Sequence, residues 1–171
     1  KDLQQYPIII CGCPRSGTTL VMSILDSHPD IHVIPFESMV FQKIDGRFSH
    51  YNWLNIIILK GYFLLLLFFN KIKPSSIRWA EKTPLNILNV NQINSLFNGK
   101  VKFINVIRDG RAVVSSTHLK LGNFVTHELW KECVKRSIKY KDLPNFLSIK
   151  YEELNNNPDV VLKQISEFLD L

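Results

Sequence analysis

At 171 residues, 46% of them hydrophobic and 21% charged, the chain has a globular composition with enough length for one real core, which excludes a disordered or low-complexity polymer. A formal charge of +6 points to anionic partners: phosphates, sulfated ligands, acidic substrates or a membrane surface. The basic residues are dispersed and no recognition motif is visible, which points away from nucleic acid, and Cys11, Cys13 and Cys133 lack both metal spacing and the number for a disulfide scaffold.

In chain order, P-I-I-I-C-G (7–12) is a short apolar run that suits a buried parallel strand feeding a loop. From Thr18 the pattern turns helical, with Leu20, Ile24 and Leu25 on one face, and His28-Pro29 ends it. I-H-V-I (31–34) predicts a second strand. Residues 53–69, W-L-N-I-I-I-L-K-G-Y-F-L-L-L-L-F-F, are apolar at 14 of 17 positions. A bilayer span needs about 20 apolar residues, so this stretch is expected to be a buried or lid helix, with a peripheral membrane contact as the alternative. K-V-K-F-I-N-V-I (100–107) is the strongest strand signal, and G-R-A-V-V-S-S-T-H-L-K-L after it reads as helical. A further strand lies in 145–154, and N-P-D-V-V-L-K-Q-I-S-E-F-L-D-L predicts a closing amphipathic helix started by Pro158 and Asp159. Repeated strand–loop–helix units imply an α/β fold with a parallel sheet flanked by helices.

The first strand runs into G-C-P-R-S-G-T-T (12–19), which matches a phosphate-binding loop except that Thr18 stands where a triphosphatase has lysine. Backbone N–H groups and the helix start still make an anion site there. Gly12 and Gly17 permit the turn; Arg15, Ser16, Thr18 and Thr19 add donors. K-F-I-N-V-I ends in Arg108 instead of a magnesium-binding carboxylate, so a ligand without a γ-phosphate fits better. Arg108, at a strand end, can reach the first loop across the sheet top. Ser116 and Lys120, four residues apart on the expected helix, could join it around a second phosphate. The bland alternative is a local Arg108–Asp109 salt bridge.

C-G-C-P-R-S-G-T-T-L-V-M-S-I-L-D-S-H-P-D-I, W-A-E-K-T-P and V-I-R-D-G-R-A-V-V-S-S, in this order and spacing, resemble the sulfotransferase family, most of all its tyrosylprotein sulfotransferase and bacterial branch. The resemblance implies a P-loop-type three-layer fold over residues 1–171, with 40–77 an acceptor-side helical insertion and the family's later C-terminal stretch missing. It implies transfer of a sulfuryl group from 3′-phosphoadenosine-5′-phosphosulfate (PAPS), without a metal, to a peptide tyrosine, glycan, lipid or small alcohol. Arg15, Ser16, Gly17, Thr18 and Thr19 would grip the 5′-phosphosulfate; Arg108 and Ser116, with Lys120, would hold the 3′-phosphate; Tyr151 would contact the cofactor. Glu37 would be the base and Lys82 would stabilise the departing oxygen. His28 is expected to be structural and Arg111 to bind a local carboxylate.

Two other classes stay open on the residues alone. A P-loop kinase would bind ATP with magnesium, and a non-catalytic module would bind a nucleotide or a membrane. The start at Lys1 and the abrupt E-F-L-D-L end suggest part of a longer protein, expected in the cytoplasm if bacterial, with membrane association through 53–69 as the alternative.

Overall fold

A computed structural model describes residues 6–44, 61, 73, 75–118 and 122–171. Its centre is a five-stranded sheet in the order β2-β3-β1-β4-β5, formed by β1 (Ile8–Gly12), β2 (Ile31–Val33), β3 (Arg78–Lys82), β4 (Lys102–Ile107) and β5 (Phe146–Lys150). Every pairing is parallel; Ile10 stands beside Lys82 on one side and Ile104 on the other. A parallel sheet must be covered on both faces, and β1 is buried along its whole length.

The strand alternation divides the core into two layers. Ile9, Cys11 and Phe103 face one side, against Ile87, Val90, Ile93 and Leu96 of the 84–96 segment and Cys133 and Tyr140 of the helix His127–Tyr140. Ile8, Ile10, Ile104 and Val106 face the other, against Val21 and Leu25 of the helix Thr18–Ser27 and Val161, Ile165 and Leu169 of the helix Pro158–Leu169. Each fully buried isoleucine contributes roughly 1.5–3 kcal/mol. The result is the expected α/β architecture of a parallel sheet between helices.

The elements differ from the sequence expectation in several places. W-A-E-K lies within the buried strand β3, which was not among the expected strands. The first helix turns Thr18, Val21 and Leu25 inward, while Leu20 is 41% exposed, so its buried face is rotated from the one predicted. The helix after β4 covers only Gly110–Val114, and Ser115 caps it. Ser116 therefore does not share a helical face with Lys120, which lies outside the described residues, as do 53–69 apart from Gly61 and most of 40–77. Finally, Tyr151 opens a short helix, Tyr151–Asn156, where the strand was expected to continue. Among the described residues no helix is long and apolar enough to cross a membrane.

Chain direction reverses around β1. From β1 the chain moves to β2 and β3 on one side; from β4 it moves to β5 on the other. The crevice between the carboxyl ends of β1 and β4 is thus the switch point where open α/β sheets bind ligands.

Candidate active site

β1 ends at Gly12, whose φ of 148° suits glycine alone; a Cβ there would collide with the Val106 carbonyl of β4. The chain then tightens through a Ser16 N–H to Cys13 carbonyl bond of 3.1 Å. Arg15 takes a left-handed φ of 70° and Gly17 one of 100°, and the helix begins at Thr18. A Cβ on Gly17 would run into the Tyr151 ring. Leu20 N–H already donates to the Gly17 carbonyl at 3.0 Å, which leaves the amides at the very start of the helix for an anion. Ser16 Oγ is fully buried and has no hydrogen-bond partner among the described residues. An orphaned hydroxyl inside an amide-lined loop fits a phosphate-type ligand, whose oxygens would satisfy it. Thr18 is buried and Thr19 is exposed.

The second motif meets this loop directly. Arg108, just past β4, donates from Nη1 to the Arg15 carbonyl at 3.1 Å and lies 4.3 Å over the Tyr151 ring. Arg15 Nε donates to Ser116 Oγ at 2.9 Å and its Nη2 to the Thr117 carbonyl at 3.3 Å. Arg15, Gly17, Ser116, Arg108 and Tyr151 therefore form one assembly. The predicted alternative, an Arg108–Asp109 salt bridge, is replaced by an Asp109–Arg111 pair at 2.6 Å, which holds the Asp109 carboxyl down at about 2. Asp109 also caps the helix Gly110–Val114 by accepting from Arg111 N–H. Trp130, a residue with no motif to mark it, donates Nε1–H to the Arg108 carbonyl at 3.1 Å. Its indole covers Gly110, where a Cβ would crowd the ring.

The candidate base and the candidate lysine are partners. Lys82 Nζ, at the end of β3 and 6% exposed, donates to Glu37 Oε1 at 2.6 Å. Their loop is braced by Glu81, a fully buried residue that sequence reasoning passed over. Burial pushes the Glu81 carboxyl above the usual carboxylate range, and hydrogen bonds from Thr83, Ser38 and Asn86 only partly offset it.

Pro14, Arg15, Gly17, Thr18, Glu37, Met39, Leu85, Arg108, His118, Phe124 and Tyr151 are among the residues lining a cleft of about 470 Å³ at this edge. Members of both candidate constellations thus open on one space, which apolar side chains also line. His118 and Phe124, in edge-to-face contact with ring centroids 5.9 Å apart, were not predicted. Only their position after the V-I-R-D-G motif could have suggested them. His28 is structural as expected: its Nδ1 accepts from Asp30 N–H at 3.2 Å. The three cysteines are buried free thiols, and burial pushes Cys11 upward, so it is a neutral core group.

A family model described as the sulfotransferase domain matches residues 5–171. Curated relatives include Protein-tyrosine sulfotransferase A of Caenorhabditis elegans, 26% identical over 96% of this chain and 50% of its own length. The Protein-tyrosine sulfotransferase of Drosophila melanogaster is 26% identical over 98% of this chain and 39% of its own. The chain thus spans about half the length of the curated relatives it matches. Among solved structures, the sulfotransferase domain of the Synechococcus PCC 7002 olefin synthase aligns with a TM-score of 0.64 and 19% identity, covering 100% of this chain and 74% of that one. Mouse sulfotransferase SULT7A1, solved in complex with PAP, aligns with a TM-score of 0.64 and 19% identity over 99% and 60%. At that identity these likenesses concern the fold.

Proposed function

We propose for this chain, which belongs to the sulfotransferase domain family, the transfer of a sulfuryl group from PAPS to an acceptor hydroxyl, with protein tyrosine as the acceptor. The observation that carries the reading is that Arg15, Arg108 and Tyr151, joined in one assembly with Ser116, line the same cleft as Glu37, the partner of Lys82. The names of the curated relatives support tyrosine, and Leu20, Met39, Leu85 and Phe124 offer apolar walls for a phenol ring.

When bound, PAPS supplies a sulfuryl group activated by a phosphate leaving group. Residues 15–19 would hold the 5′ end through amides, the Ser16 hydroxyl and the Arg15 guanidinium. Arg108 and Ser116, and Lys120 from the segment beyond, would hold the 3′-phosphate. The Tyr151 ring fixes the Arg108 plane and closes the floor under Gly17. Glu37 would accept the proton of the acceptor hydroxyl, and Lys82, already charge-paired with Glu37, would turn toward the departing oxygen.

The direct test is transfer of radiolabelled sulfate from PAPS to an acidic tyrosine peptide by the full chain. Glu37→Ala should lower kcat by about 100-fold or more while leaving the affinity for 3′,5′-adenosine diphosphate (PAP) unchanged. Retained turnover would remove Glu37 from the mechanism, and labelling of a lipid in preference to the peptide would overturn the acceptor.

A further inference from the structure

Three consecutive backbone amides follow Glu37, and all three lead to one buried carboxyl group. Ser38 N–H donates directly to Glu81 Oε1 at 3.2 Å. Met39 N–H donates to Thr83 Oγ1 at 3.3 Å, and that hydroxyl donates to the same Oε1. Val40 N–H donates to Ser38 Oγ at 3.4 Å, and that hydroxyl donates to Oε1 at 2.7 Å. The second oxygen, Oε2, accepts from Asn86 Nδ2 at 2.7 Å. One side chain of β3 thereby ties the 38–40 loop to the turn Pro84–Asn89.

Glu81 has no exposed surface, so it meets no ligand itself. Its chain neighbour Lys82 holds Glu37, the residue just before the tethered loop. Met39 adopts a left-handed φ of 51°, a conformation that a residue with a side chain keeps only where its surroundings over-determine it. The amide network supplies that constraint.

We propose that Glu81 is a positioning residue, whose carboxyl group clamps residues 38–40 so that the Glu37 carboxylate stays at Lys82. The inference rests on the role given to Glu37 above, but the clamp itself is readable without turnover.

The test combines backbone hydrogen exchange, PAP affinity and kcat in the full chain. Glu81→Gln keeps one acceptor oxygen. Asn86 Oδ1, which has no partner among the described residues, becomes available to the new amide if the Asn86 side chain turns over. Protection at 38–40 and kcat should then stay near wild type. Glu81→Leu removes both acceptors. Its 38–40 amides should exchange faster while those of β1 and β4 stay protected. Its kcat should fall on the order of 100-fold, the scale of a misplaced catalytic group, with PAP affinity unchanged. Adding Glu37→Gln to Glu81→Leu should cost no further kcat than Glu37→Gln alone, because both act through one group. If Glu81→Leu fails to fold, Ser38→Ala, which removes one hydroxyl relay, should show the same pattern in milder form. Unchanged exchange at 38–40, or losses of kcat and PAP affinity in parallel, would overturn the proposal. Should the wild-type chain transfer no sulfate at all, the reading of Glu37 fails, and the exchange pattern still decides the clamp.

Discussion

Gly17 satisfies two constraints that no other residue type satisfies together: a φ of 100° and the Tyr151 ring against its α-carbon. Gly17→Ala should displace Tyr151 and with it the surface under Arg108, weakening PAP affinity by roughly tenfold or more. An alanine variant that binds PAP like wild type would show the loop to be more tolerant than its geometry implies. Glu81 makes a different prediction, through pH. Its folded carboxyl binds a proton more tightly than the unfolded one, whose value is about 4.5. Its contribution to stability is therefore complete below that pH and declines as pH rises through the folded value. Glu81→Gln removes the titration, so its melting temperature relative to wild type should rise over the window above about pH 4.5. A difference that stays constant across this window would mean that burial does not control the group.

Among the elements, the helix His127–Tyr140 serves the site although none of its residues lines the cleft. Trp130 Nε1 donates to the Arg108 carbonyl and its ring covers Gly110. Trp130→Phe keeps most of the ring but loses the donor. It should cost about 1 kcal/mol in denaturant unfolding, plus a weaker PAP affinity, since Arg108 loses its anchor. Unchanged stability would show that the indole N–H is not needed. The sequence hid this helix because its inward face is Cys133, Ser137 and Tyr140, too polar for an apolar stripe. β3 was hidden for a related reason: R-W-A-E-K carries three charges in five residues, and partners distant in sequence, Leu169, Glu37 and Ser38, help to satisfy them. β1, β4 and the closing helix were legible because their burial is written in their own apolar pattern. At the site, the loop pattern marked Arg15 and the strand end marked Arg108, and Glu37 and Lys82 came only through the family resemblance, while Glu81 and Trp130 act through other residues and leave no local mark.

On the scale of the whole molecule, the sheet order brings Arg15 and Arg108, 93 residues apart in the chain, to one switch point. The chain as a whole carries a net charge of +6, so affinity for a polyanionic nucleotide should fall as salt rises, more steeply than for a neutral ligand. The proposed activity requires this cleft to be a 3′,5′-bisphosphate nucleotide site. Calorimetric titration of the full chain with PAP, set beside AMP and beside the Arg108→Ala variant, measures this. Saturable binding of PAP, a much weaker response to AMP, and a loss of roughly 10- to 100-fold in affinity for Arg108→Ala are expected. Equal binding of PAP and AMP, or an Arg108→Ala variant that binds PAP as well as wild type, would contradict the proposed activity.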